Sequence, residues 1–196
     1  HIAEKNKRIA KNTLLLYFRM LFTMTVSLYT SRVVLNTLGV EDFGIYNVVG
    51  GVVVLFSFLT NAMTSSTQRF LNYNLGLKNE SKVSHIFNVS ILTHFTIFLL
   101  VLLLSETVGL WFVMTQLNIP VGRETATMWV YQMSVVTTLI GIMVIPYRAS
   151  IIAAERMSIF AYVSILEVAL KLVVVLVLSY MSFDNLVMYS ILLTLV

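Results

Sequence analysis

The chain has 196 residues, of which 58% are hydrophobic and only 11% are charged, and its formal net charge is +4. Because a soluble domain carries roughly 25% charged residues, this composition excludes both a lone water-soluble globule and a disordered chain. The absence of Cys excludes a disulfide framework and a thiolate metal site. The sequence therefore predicts an integral membrane protein.

Apolar runs long enough to cross a membrane recur along the whole chain. A helix needs about 20 mostly apolar residues to cross the hydrocarbon layer, and a lipid-facing backbone must satisfy its own hydrogen bonds. We expect helical spans at 13–38, 44–67, 85–108, 125–147 and 158–181, then an apolar run at 185–196 that is too short to span. Short connections predict antiparallel neighbours in one all-α polytopic transmembrane bundle. Because residue 1 is His and the chain stops inside the sixth run, we expect a fragment.

The basic residues are distributed unevenly between the predicted loops. If the spans alternate in direction, nine of the thirteen cations fall on one side: Lys5, Lys7, Arg8, Lys11, Arg69, Lys78, Lys82, Arg148 and Arg156. The opposite side has Arg123 with five acidic residues: Glu41, Asp42, Glu106, Glu124 and Asp184. The positive-inside rule then places the N-terminus in the cytoplasm. The surplus positive charge thus indicates membrane topology and not nucleic-acid binding.

Glu167 and Lys171 lie inside the fifth predicted span. Glu167 is nine residues past its start, roughly 14 Å deep at 1.5 Å per residue, and Lys171 follows on the same helix face with favourable i,i+4 order. Ionisable groups at this depth are costly and usually face a bundle interior or a water-filled cavity. A pair that merely locks the helix to a neighbour is the structural alternative.

Two further cations lie inside the first predicted span. Arg19 shares one helix face with a stripe of polar residues at helical spacing, which includes Thr23 and Ser27. This stripe favours a cavity in which Arg19 meets an anionic substrate through its forked guanidinium. For Arg32, close to the far end of the span, we favour extension of the side chain to the lipid headgroups.

Polar residues at helical spacing also occur on the second and fourth spans. Asn61 belongs to the second-span stripe and is a candidate for lining a hydrated cleft with the first and fifth spans. The fourth span offers Gln132 with Ser134, Thr137 and Thr138, for which we favour hydrogen bonding and close packing between helices.

The sequence predicts no enzyme, cofactor or metal site. His85 and His94 are nine residues apart and fall on different helix faces, and no phosphate loop or Ser-His-Asp constellation occurs. Without a phosphate loop, any transport draws on an ion gradient, the membrane potential or a downhill substrate.

Residues in the first two spans form a more distinctive pattern. The stretches 12–20 and 28–35 precede Leu-Gly-Val-Glu-Asp-Phe-Gly-Ile-Tyr at 38–46, and Arg69-Phe70 follows at the end of the second span. The stretches 146–149 and 153–157 fit the same pattern. Together they resemble the O-antigen and polysaccharide (Wzx-like) flippases of the multidrug/oligosaccharidyl-lipid/polysaccharide exporter superfamily.

This resemblance implies two six-helix lobes around a central cavity, with this chain forming most of the amino-terminal lobe and the second lobe missing. It implies a bacterial inner-membrane protein that moves a lipid-diphosphate-linked oligosaccharide to the periplasmic leaflet by alternating access. A polysaccharide polymerase and glycosyltransferases are the implied partners, besides membrane lipids. The resemblance carries a diphosphate-binding role to Arg19 and Lys171, and less surely to Arg32.

Two alternatives remain open from the residues. A drug/cation antiporter of the same superfamily, coupled to H⁺ or Na⁺, would need an anionic cavity, whereas Glu167 is the only carboxylate away from the ends of the predicted spans. The other alternative is a non-transporting structural membrane subunit. The charged residues predicted to lie inside the spans are the only argument against it.

Overall fold

Every regular element of the described structure is a helix. The computed structural model describes residues 2–55, 57–77, 79–178, 180 and 183–196; of residues 2–9 and 57–61 it describes the backbone alone. The helices are α1 Ile2–Val54, α2 Ser57–Gly76, α3 Glu80–Leu104, α4 Leu110–Gln116, α5 Glu124–Ala153, α6 Met157–Leu178 and α7 Asn185–Thr194, with a π-helical turn at Ser105–Gly109. No strand occurs among these residues, so the predicted all-α class is confirmed.

Among the described residues, four helices are long and apolar enough to cross a membrane. They are Ala10–Val54, Glu80–Gln116, Glu124–Ala153 and Met157–Leu178, and Asn185–Thr194 is a shorter apolar helix. Large apolar side chains such as Leu92, Leu103 and Leu166 are more than half exposed on the outside of the bundle. These faces are compatible with a lipid environment.

The first two predicted spans differ from the observed helices. Gly39 alone interrupts α1, with φ 79° and ψ 169°; this left-handed conformation is one that glycine adopts without steric cost. Residues 2–38 therefore form one segment of α1 and residues 40–54 a second. The predicted span at 44–67 is divided between this second segment and α2, because the chain turns at Leu55. An apolar run does not reveal such a break, since both sides of it are equally hydrophobic.

The residue bounds of the later predicted spans agree better with those of the observed helices. The 85–108 span lies in α3 and the π-helical turn, and 125–147 lies in α5. The 158–181 span follows α6 as far as Leu178, while residues 179, 181 and 182 lie outside the described part of the chain. The run at 185–196 corresponds to α7.

Helix α5 lies at the centre of the bundle. The main core joins its residues Val130, Val135 and Ile142 to Val49 of α1 and Leu186 of α7. A second core holds Val34 against Val175 and Leu178 of α6. Since Arg19 lies over Phe160 at the start of α6, the first segment of α1 runs parallel to α6.

Loops predicted to lie on the same side meet at the same end of the bundle. At one end, Arg123 contacts both Asp42 and Asp184; we call this the Asp42 end. At the other, Leu71 of α2 packs with Ala149 of α5; we call this the Ala149 end. The chain thus crosses the bundle between predicted outer and inner loops.

The Arg123 side chain bridges two carboxylates. Its Nε donates to Asp42 Oδ1 at 2.8 Å and its second terminal nitrogen pairs with Oδ2 of the same carboxylate. The other terminal nitrogen donates to Asp184 Oδ2 at 2.6 Å. Asp42 is only 6% exposed, so this pairing prevents a buried, uncompensated charge.

The π-helical turn accommodates the side chain of Tyr131, which belongs to α5. The Tyr131 hydroxyl donates to the Ser105 carbonyl at 2.6 Å, and a Cβ placed on Gly109 would overlap this hydroxyl. Gly109 therefore allows α5 to approach the turn closely enough for the hydrogen bond to form.

Substitution of Arg123 should destabilise the bundle. Removing one partner of a buried ion pair costs roughly 3–5 kcal/mol, and because Arg123 is partly exposed we expect about 2 kcal/mol for Arg123→Gln. Asp184→Asn should cost less, since the asparagine oxygen can still cap α7 as Asp184 does. Chemical unfolding in detergent, followed by circular dichroism, measures both; equal losses would contradict the buried-charge explanation.

A double-mutant cycle tests the Gly109 contact. Gly109→Ala should cost roughly 1–3 kcal/mol by overpacking against the Tyr131 hydroxyl. In a Tyr131→Phe background the same substitution should cost much less, because the overlapping atom is gone. Gly141→Ala is the matched control, since nothing lies within 4 Å of its added Cβ. An undiminished Gly109→Ala penalty in the Phe background would refute the contact.

Candidate functional site

A pocket that includes several polar side chains opens between four helices of the bundle. Its volume is about 350 Å³, and its walls come from the second segment of α1 and from α5, α6 and α7. It combines one cation with amide and hydroxyl groups: Lys171, Asn47, Ser134, Thr137, Thr138, Ser190 and Thr194. We call it the Lys171 pocket.

Most hydroxyl groups of the pocket donate their proton to the backbone of their own helix. Ser134 donates to the Val130 carbonyl at 2.8 Å, and Ser190 donates to that of Val187 at 2.8 Å. The hydroxyls of Thr137 and Thr194 lie 3.0 Å apart across α5 and α7. A hydroxyl whose proton is already donated offers lone pairs to a ligand. The wall opposite Lys171 is therefore rich in hydrogen-bond acceptors.

Lys171 reaches the pocket while paired with Glu167. Its Nζ lies 2.6 Å from Glu167 Oε1, the contact that the i,i+4 spacing predicts, and about 40% of each side chain is exposed. The pair brings no net charge to the pocket. An anion would therefore compete with Glu167 for the ammonium group.

Helices α1 and α5 are in contact at the pocket. A Cβ on Gly50 would lie 3.8 Å from Ser134 Oγ, an ordinary van der Waals distance.

Arg19 lies elsewhere in the bundle. Its guanidinium carbon is 4.4 Å from the centre of the Phe160 ring, a cation–π contact. Its Nε is buried and has no hydrogen-bond partner among the described residues. Phe160 and Lys171 are eleven residues apart on α6, roughly 16 Å along the helix axis. The structure therefore does not bring Arg19 and Lys171 into one pocket.

The two remaining predicted site residues also lie apart from Lys171. Arg32 is exposed on the first segment of α1, seven residues before the Gly39 break. The backbone of Asn61 belongs to α2, but its side chain lies outside the described part of the structure. Of the five predicted site residues, only Glu167 and Lys171 are in contact.

Several pocket residues were missed or given a different role from the sequence. The sequence predicts a packing role for Ser134, Thr137 and Thr138, and it does not single out Asn47, Ser190 and Thr194. The signal that could have found them is helical spacing of hydroxyls on α5 and α7 and of an amide on α1. Its meaning depends on how each helix is rotated, which spacing alone does not give.

A second group of polar side chains is buried between α2 and α3. Thr67 and Ser90 hydroxyls lie 3.1 Å apart, and His94 Nδ1 donates to the Ser90 carbonyl at 2.7 Å. His94 Nε2 is buried without a partner among the described residues. Within the same residues, no cluster of three or more His, Cys, Asp or Glu side chains could hold a metal ion.

No family model, curated protein or solved structure matches the chain. The geometry of the Lys171 pocket and the residues themselves are therefore the basis for assigning a function.

Cysteine labelling tests whether the pocket contains water. The natural chain has no Cys, so each introduced thiol is the only target. Thr137→Cys should react with a membrane-impermeant maleimide, because thiolates form only where water is present. Ile140→Cys is the matched control: it is 51% exposed on the same helix but does not line the pocket. Equal labelling of both positions, or none at Thr137→Cys, would contradict a hydrated pocket.

Proposed function

We propose that the chain is most of the amino-terminal lobe of a membrane transporter that flips a lipid-diphosphate-linked oligosaccharide for surface polysaccharide export. The observation that carries the proposal is the Lys171 pocket, where an ammonium group faces hydroxyl oxygens within a bundle of apolar helices. The resemblance of residues 38–46 to Wzx-like flippases supports the same function. The cargo would cross by alternating access between this lobe and a second one.

The pocket chemistry matches the two polar parts of such a cargo. The Lys171 ammonium can donate hydrogen bonds to diphosphate oxygens. The acceptor-rich wall formed by Ser134, Thr137 and Thr194 suits the hydroxyl donors of a sugar. The lipid tail would stay in the bilayer, beside the exposed apolar faces of the helices.

The proposed orientation places the Ala149 end in the cytoplasm of a bacterial cell. That end carries exposed Arg69, Lys82 and Arg148, whereas at the Asp42 end Arg123 is paired with carboxylates. An excess of Lys and Arg on one side is typical of cytoplasmic loops. We therefore propose an inner-membrane protein with a cytoplasmic N-terminus.

A cation-coupled antiporter of the same superfamily is the second candidate. The Glu167 carboxylate is partly exposed within an apolar helix, as a binding site for H⁺ or Na⁺ requires. In the antiporter, the Glu167 carboxylate binds the coupling ion and the Lys171 ammonium competes with that ion for the carboxylate. In the flippase, the Lys171 ammonium binds the cargo and the Glu167 carboxylate competes with the cargo for the ammonium.

Opposite effects of two substitutions distinguish these functions. In the flippase, Lys171→Gln should slow flipping of a fluorescent lipid-diphosphate-linked glycan at least tenfold in proteoliposomes that contain this lobe joined to its second lobe, whereas Lys171→Arg should retain it. Glu167→Gln should tighten binding of that glycan, because the competing carboxylate is gone. Lys82→Gln, an exposed cation at the Ala149 end, is the matched control.

Three outcomes would count against the flippase. Normal flipping in Lys171→Gln would exclude a direct role of the pocket. Loss of cation-coupled drug transport in Glu167→Gln, with no glycan flipping by the unsubstituted two-lobe protein, would establish the antiporter. No transport of either kind by the unsubstituted two-lobe protein would favour a structural subunit.

A further inference from the structure

A second, larger polar pocket lies at the Ala149 end. Its volume is about 820 Å³, within the roughly 300–1,000 Å³ typical of small-ligand sites. One wall is the last half of α2 and the other is the turn that joins α5 to α6. Thr138 of the Lys171 pocket and Ile152 of this one are fourteen residues apart on α5, roughly 21 Å. The two pockets are therefore distinct.

Two amide side chains line the α2 wall. Gln68 and Asn72 are one helical turn apart and both face the pocket. Neither side chain makes a hydrogen bond within the described part of the structure, whereas the nearby buried Asn74 donates its amide to the Phe70 carbonyl at 3.0 Å. A primary amide has two donors and an acceptor. The pair can therefore bond to neighbouring hydroxyl groups of one ligand.

The opposite wall contributes a cationic residue to the same pocket. The α5–α6 turn is fixed by hydrogen bonds from Ala154 N to the Ser150 carbonyl at 2.9 Å and from Arg156 N to the Ile151 carbonyl at 3.1 Å. Arg156 lines the pocket and makes no ion pair with the described side chains. Glu155 also lines it and has an interaction of its own. Arg156 is thus the cation that this wall offers to a ligand.

We infer that this pocket binds a sugar joined to phosphate, with Gln68 and Asn72 on the sugar and Arg156 on the phosphate. Amide side chains supply the donors and acceptors that sugar hydroxyls need, and guanidinium matches phosphate oxygens bidentately. The inference rests on the proposed function in naming the glycan headgroup of a lipid as one source. A soluble sugar phosphate has the same chemistry and is the other source.

Under the proposed orientation, the cargo binds in the Ala149-end pocket before it reaches the Lys171 pocket. The Ala149-end pocket lies where exposed Arg69, Lys82 and Arg148 attract anions. The headgroup would bind here before reaching the Lys171 pocket deeper in the bundle. The Ala149-end pocket would then select cargo by its sugar, while the Lys171 pocket would bind the cargo during its passage across the membrane.

Binding of three probes to the purified intact chain tests the inference. The probes are N-acetylglucosamine linked through diphosphate to farnesol, N-acetylglucosamine 1-phosphate, and farnesyl diphosphate without sugar. In the double variant Gln68→Leu/Asn72→Leu, affinity for the sugar-bearing probes should fall about tenfold, the effect of two lost hydrogen bonds. Affinity for farnesyl diphosphate should stay unchanged. Arg156→Gln should weaken binding of all three probes at least fivefold.

Gln116→Leu is the matched control. It removes an exposed amide at the other end of the bundle, away from both pockets, and should change none of the three affinities. Binding of the soluble sugar phosphate as tightly as the lipid-linked probe would support the inference and identify the soluble source.

The outcomes separate this inference from the proposed function. Unchanged sugar binding in the double variant overturns the inference, even if glycan flipping is normal. An equal loss for farnesyl diphosphate also overturns it, because the pocket would then not recognise sugar. Failure of the natural chain to bind either sugar-bearing probe does the same. If the double variant loses affinity for N-acetylglucosamine 1-phosphate while the two-lobe protein flips no glycan, the pocket is supported and the flippase is rejected.

Discussion

The contact of Arg123 with Asp42 and Asp184 fixes the arrangement on which the Lys171 pocket depends. Asp42 follows the Gly39 break in α1, Arg123 precedes α5, and Asp184 caps α7. These three helices supply most of the pocket wall. In so apolar a chain, an unpaired Asp42 would be costly to bury, and a guanidinium fork can serve both carboxylates at once. One side chain thereby sets the relative positions of three helices.

Hydroxyl groups lie at several close contacts between helices, beside an apolar core. Tyr131 reaches the Ser105 carbonyl because Gly109 leaves room for it. Hydroxyl groups that bond to their own helix, such as Ser134, do not leave a donor unsatisfied. This arrangement stabilises close helix packing and also creates the acceptor-rich surface opposite Lys171. Packing and proposed binding thus use the same residues.

The sequence predicts local features better than the relations between helices. The all-helical class and the Glu167–Lys171 contact follow from hydropathy and from i,i+4 spacing, which are properties of a single segment. The division of residues 44–67 at Leu55 does not follow, because an apolar run has the same composition on both sides of a turn. The separation of Arg19 from Lys171 does not follow either, because a polar stripe shows which residues share a face but not what that face contacts.

The weak charge of the Lys171 pocket is what a transport step requires. A site that held a diphosphate with several unpaired cations would retain the cargo, whereas passage needs binding that is favourable enough for entry and weak enough for release. Glu167 keeps the ammonium partly neutralised, so under the proposed function diphosphate binding would exchange one ionic partner for another at a small net free energy. Under the proposed function, selectivity then belongs at the Ala149 end, where Gln68 and Asn72 are not engaged with other described side chains. Separating recognition from crossing allows a glycan to be selected without being trapped.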